Sequence, residues 1–148
     1  MPTQYDFPDA PKRCTQWHNT SSALVGNAVV TSIDPSEMNN VFGVQSPAVL
    51  NDEFTNGVWL RDGTYTFYVL GAKNTTHGQV DWYLDNTLIL ADQDWYGALT
   101  YNVIQSVAVV ISNGLLYHTL KGVVNSKNAS SSGYAMILTA FWFKQAAD

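Results

Sequence analysis

Cysteine is almost missing from this sequence. Cys14 is the single one in 148 residues, so no intrachain disulfide and no cysteine-based zinc site can form. Charge is scarce too. Asp, Glu, Lys and Arg make up 13% of the chain, about half the usual share. Basic residues are fewest: Lys and Arg number 7 against 12 Asp and Glu, for a net charge of −5. The longest basic run is Lys12-Arg13. Nucleic-acid binding rests on many phosphate contacts, so no such partner is expected. No apolar run approaches the roughly 18 residues of a membrane helix, and no membrane partner is expected. The opening Met1-Pro-Thr-Gln-Tyr-Asp has neither a basic n-region nor an apolar h-region, which leads to the expectation of a chain without a Sec-type leader. The sequons at Asn19, Asn74 and Asn128 then read as ordinary polar loops.

Catalytic signatures are missing as well. His18, His77 and His118 are scattered, and neither His-Glu-x-x-His nor Gly-x-Ser-x-Gly occurs. His118 alternates with apolar residues and reads as structural. Asp81, Asp85, Asp92 and Asp94 fall within 14 residues, a density that a glycosidase pair or a calcium site would need. But Asp85 sits at a turn, and Asp92 and Asp94 share a loop without calcium-motif spacing. No enzyme, cofactor or metal is expected.

What the chain does have is apolar and aromatic residues, 46% and 13%, in short alternating runs. The clearest stretch is Arg61 to Leu90. Tyr65, Phe67 and Val69 alternate with Thr64, Thr66 and Tyr68, a strand pattern. Val80, Trp82 and Leu84 alternate with Asp81 and Tyr83, a strand with one wet face. Asp85-Asn86 suits a two-residue hairpin, and Leu88-Ile89-Leu90 returns antiparallel. Ala91 to Gly97 reads as a polar loop. Val103–Ile111 and Leu116–Val124 flank the turn signal Asn113-Gly114, and Tyr134–Lys144 is a long closing strand. Before the clear stretch, Ser22–Ser32 reads as one or two strands broken near Gly26-Asn27, and Val41–Val44 as another. Asp34-Pro-Ser-Glu37 carries the lone helix signal, a single capped turn. The expectation is one all-β domain, an antiparallel sandwich of about eight strands over 21–148, behind an irregular N-terminal arm over 1–20.

Two sets of aromatics bear on function. Trp82-Tyr83 and Trp95-Tyr96 are candidates for stacking sugar rings, with Asp94, Asn125 and Asn128 to bind hydroxyls. The plainer reading, set ahead of that one, is that these rings pack in the core or between subunits. Successive strand residues point to opposite faces, so one of Trp82 and Tyr83 should be inside. Tyr5, Phe7 and Trp17 in the arm, with Phe141 and Phe143 in the closing strand, are candidate assembly contacts. The closing strand carries rings on both faces, and the face outside the core would need cover.

Gly63-Thr-Tyr-Thr-Phe-Tyr-Val-Leu-Gly, Val80-Asp-Trp-Tyr-Leu-Asp, Gly114–Leu120 and Asn125-Ser-Lys-Asn together resemble the galactose-binding-like jelly rolls used as carbohydrate-binding modules. The resemblance covers residues 57 to 143 and rests on scaffold positions, with Asn86 where that pattern has Gly. Such domains are also similar to jelly rolls of tailed-bacteriophage virions, among them capsid cement or decoration proteins and fibres. That resemblance implies a structural virion protein on the capsid surface, made in the host cytoplasm. It would be a homotrimer whose partners are itself and a major capsid protein. The alternative it implies is a carbohydrate-binding module or receptor-binding domain with a glycan partner. Fold alone does not choose between them.

Overall fold

A computed structural model describes the backbone of residues 3–4, 14–18, 23–25, 29–32, 42–45 and 50–146. Side chains are described over 50–146, those of Phe54 and Thr139 aside. Two antiparallel sheets face each other, as the alternation predicts. The strands are β1 (Thr3–Gln4), β2 (Cys14–His18), β3 (Ala23–Val25), β4 (Val29–Ser32), β5 (Phe42–Gln45), β6 (Glu53–Trp59), β7 (Gly63–Lys73), β8 (Gln79–Leu84), β9 (Thr87–Asp94), β10 (Thr100–Ile111), β11 (Tyr117–Ser126) and β12 (Ile137–Gln145). One sheet has the order β3-β6-β11-β8-β9. The other is built around β12, which pairs with β7 on one side and with β5 and then β2 on the other. β10 adds to β7, β4 to β5 and β1 to β2.

Why the sheets close on each other is legible in the rings. Phe67 of β7, Trp82 of β8, and Phe141 and Phe143 of β12 are fully buried. Phe67 meets Trp82 edge-on at 5.0 Å and stacks on Phe143 at 4.7 Å. Trp82 meets Phe141 at 5.2 Å. β8 belongs to one sheet and β7 and β12 to the other, so the two Trp82 contacts span the sandwich and the Phe67–Phe143 stack lies within one sheet. Each such ring contributes roughly 1.5–3 kcal/mol by burial. Tight spots locate the closest backbone approach: a Cβ on Gly71 would lie 2.5 Å from the Ile137 carbonyl oxygen and 2.9 Å from the Trp95 ring.

The turns follow their sequence signals. Asp85 and Asn86 take φ of 50° and 64°, the left-handed pair of a tight hairpin, and Gly114 takes φ of 73°. β3 ends at Val25 and β4 begins at Val29, two strands within the Ser22–Ser32 stretch. Three expectations change. The polar loop over Ala91–Gly97 is strand as far as Asp94, because Gln79 and Val80 pair with Asp94 and Gln93. Phe141 and Phe143 are core, not assembly contacts. A bulge between Leu138 and Ala140 resets the alternation, so Met136 and Leu138 point inward and so do Phe141 and Phe143. The outward ring of β12 is Trp142, stacked on Tyr68 of β7 at 5.1 Å and 8°. Part of the arm is strand: β2 pairs with β12, Trp17 opposite Phe141, on this chain's own sheet. Tyr5, Phe7 and the Asp34–Glu37 turn lie outside the described residues.

Candidate functional site

The outer face of the β3-β6-β11-β8-β9 sheet is where polar and aromatic side chains meet solvent. Its rows follow from register. Trp59 of β6 lies opposite Tyr117 of β11, Gly57 opposite Thr119, and Thr55 opposite Lys121. On the other side of β11, Lys121 faces Tyr83 and Val123 faces Asp81. Directly opposed residues share a face. The inward set confirms the phase: Val58, Trp82, Leu84, His118 and Leu120 are all buried.

At one end of this face stand Trp59 and Tyr117. They are 54% and 53% exposed, and their rings meet edge-to-face at 5.2 Å. Gly57 makes room for them. A Cβ there would lie 2.0 Å from the Tyr117 hydroxyl oxygen and 2.6 Å from its ring carbon, so the phenol lies over bare backbone. The Asn113–Leu116 turn next to the pair exposes Leu115 and Leu116. Further along the face the Lys121 ammonium sits 5.2 Å from the centre of the Tyr83 ring and 4.0 Å from Glu53 Oε1.

Beneath the ring pair a buried histidine ties three segments together. His118 Nδ1 is 2.6 Å from Asp85 Oδ2, and Nε2 is 3.2 and 3.1 Å from the carbonyl oxygens of Leu60 and Leu115. Asp85 Oδ1 also accepts the Thr119 amide at 2.8 Å. Burial pushes the Asp85 carboxyl up, but the Thr119, His118 and Asn113 hydrogen bonds and the His118 charge outweigh it, and the net direction is down. Both nitrogens of His118 are thereby committed to holding the β8–β9 hairpin, the end of β6 and the turn before Tyr117.

At the far end lies a polar cluster. Asp81 Oδ1 accepts the Asp92 amide at 2.8 Å, and Asn125 Nδ2 donates to Asp92 Oδ1 at 2.9 Å. Asn128 Nδ2 donates to Asp94 Oδ2 at 2.9 Å, and the Tyr96 amide to Asp94 Oδ1. Burial raises the Asp94 carboxyl, and these bonds, with Gln79 and the Lys73 charge, bring it below its ordinary value.

The residues singled out in the sequence divide accordingly. Asn128 meets Asp94, which also takes the Tyr96 amide, and Asn125 meets Asp92, with Tyr83 on the same sheet. Trp82 and Trp95 follow the packing reading and leave the candidate ligand set. Both are fully buried, and both indoles donate to Gln93 Oε1, at 2.8 and 3.0 Å. A shared buried acceptor gives the polar edge of each indole a partner inside, so neither ring is offered to a ligand. Trp59 and Tyr117 were missed. The signal was there, since Val58 and Leu60 flank one and the inward-facing His118 follows the other.

His77, away from this face, sets a pH dependence. It is buried with Nδ1 2.9 Å from the Ala72 carbonyl oxygen. Burial lowers its pKa from 6.5, and the Ala72 bond opposes this only in part. The unfolded chain therefore takes up a proton that the folded chain resists, and stability declines as pH falls below 6.5 toward the folded value. A second decline sets in below 3.8, where Asp85 and Asp94 must be protonated. Thermal melting midpoints recorded from pH 7 to 3 should show both declines, and His77→Gln should remove the first. A flat profile between pH 7 and 5 in the unaltered protein would contradict this account.

No family model matches the sequence, and no curated protein does. Solved structures do match. A family 35 carbohydrate binding module from Clostridium thermocellum superimposes with a TM-score of 0.67 at 13% identity, over 88% of this chain and 98% of that one. The CBM36-1 domain of a multidomain xylanase, from the hindgut metagenome of Trinervitermes trinervoides, gives 0.63 at 17% identity, over 92% and 100%. A Paenibacillus xanthan lyase gives 0.70 at 17% identity over 98% of this chain, which spans only 14% of that enzyme. These likenesses show that the chain has the jelly-roll β-sandwich fold of carbohydrate-binding modules.

Proposed function

We propose that this protein is a non-catalytic carbohydrate-binding domain, and that its glycan lies on the outer face of the five-stranded sheet against Trp59 and Tyr117. The carrying observation is that solvent-exposed ring pair, held over Gly57. A large ring half in water is a costly way to end a strand unless something covers it. Pyranose rings present flat C–H faces to such surfaces, and their hydroxyls suit neighbouring polar groups. The fold likeness to carbohydrate-binding modules supports the same reading. The capsid-cement expectation rested on the resemblance to virion jelly rolls, the expected lack of a leader, low charge and the aromatic arm, and the self-association expected with it on apolar rings in need of cover. Burial of Phe141 and Phe143 removes part of that ground, and the structural similarities favour the glycan alternative. Affinity electrophoresis through gels holding arabinoxylan, galactomannan, dextran or xanthan is the test. Retardation by at least one polymer is expected, and free migration through all of them would reject the reading.

A further inference from the structure

We infer that this face selects neutral polysaccharide chains and rejects polyanionic ones, an inference that rests on the glycan-binding reading above. Strands β6, β8, β9 and β11 place Glu53, Asp81, Asp85 and Asp92 on or at the rim of the face, against two cations among the described residues there, the exposed Arg61 two residues after Trp59 and, amid the carboxylates, Lys121. Lys121 is already engaged, near Glu53 Oε1 on one side and over the Tyr83 ring on the other. Its charge is already partly offset by Glu53. The carboxylates act as acceptors: Asp85 for His118 and the Thr119 amide, Asp81 for the Asp92 amide, Asp92 for Asn125. A neutral sugar brings hydroxyls, which can donate to their remaining lone pairs. A uronate or sulfated sugar keeps hydroxyls but adds like charge beside them, and a wrong-partner charge of that kind is a means of specificity in itself.

The face also has the length for a chain. From Tyr117 to Asn125, β11 advances eight residues, about 26 Å at strand rise. The ring pair lies at one end, Tyr83 midway and the Asp92–Asn125 pair at the other. A polymer laid along β11 would pass every carboxylate, so repulsion of a polyanion would act at several units at once.

Affinity electrophoresis and calorimetry with matched polymers test this. The probes are arabinoxylan, galactomannan and dextran, each beside its carboxymethylated form, with polygalacturonate added. At 10 mM salt, where screening reaches only over about 30 Å, the acidic form should bind about tenfold or more weakly than its neutral parent. The gap should narrow at 0.5 M salt. Asp81→Asn keeps an oxygen for the Asp92 amide and removes one charge, and it should raise binding of the acidic form. Glu53→Gln should do the same. Acidic polymers binding as tightly as neutral ones at low salt would overturn this inference and leave the glycan reading standing. No retardation by any polymer, neutral or acidic, would overturn both.

Discussion

Replacing His118 by alanine is expected to destabilise the fold by about 3 kcal/mol, the range for truncating a large buried side chain that also carries hydrogen bonds. The imidazole is fully buried, and three losses coincide. The Leu60 and Leu115 carbonyl oxygens lose their bonds to Nε2. Asp85 loses the 2.6 Å contact, although it keeps the Thr119 amide. A ring-sized void opens between the sheets. For a chain of this size the change corresponds to a melting point lower by roughly 6–12 °C. The Asp85→Asn variant retains an acceptor for Thr119 and should lose less. Thermal denaturation followed by circular dichroism measures both. An unchanged midpoint for His118→Ala would mean that the three segments are held together by other contacts.

The second large effect concerns binding. Trp59→Ala is expected to weaken glycan affinity by about 2 kcal/mol or more, some thirtyfold, as removal of a central aromatic anchor does. Because Trp59 points to solvent, its loss should leave the melting point within a few degrees of the starting value. Gly57→Ala makes the sharper comparison. It deletes no ring, but its methyl meets the Tyr117 hydroxyl, and the phenol must swing off the backbone. Tyr117 is exposed, so that movement costs little stability. Binding should fall while folding does not. Gly57→Ala with full affinity would show that the arrangement of the two rings is irrelevant to the ligand. Trp59→Ala with full affinity would place the ligand elsewhere.

Much of this fold was written in period-two alternation. Tyr65, Phe67 and Val69 are inside because every second residue of β7 faces the other sheet, and the Asp85-Asn86 and Asn113-Gly114 turns follow from residues that tolerate positive φ. What alternation cannot show is where it slips. The bulge at Leu138–Ala140 turned Phe141 and Phe143 inward and left Trp142 outside, and no residue there announces it. The stretch before Trp95 reads as loop for a related reason. Polar neighbours at Asp92 and Asp94 suggested a loop, but cross-strand pairing continued β9 through them and buried the indole against Gln93. The site was half legible. Asn128 reaches Asp94 and Asn125 reaches Asp92, since β9 and the end of β11 lie at one end of the sandwich. Trp59 and Tyr117 were readable as outward-facing, but only cross-strand register puts residues 58 positions apart beside each other.

The most direct measurement is amide and indole chemical-shift mapping by NMR, with a polymer fragment that retards the protein in the gel assay. The account predicts shifts along the outer face of β6 and β11, greatest at the Trp59 indole and at Gly57, Tyr117 and Thr119, and fading toward Trp82 and Trp95 in the core. Shifts confined to the opposite sheet around Tyr68 and Trp142, with the Trp59 indole unmoved, would contradict it.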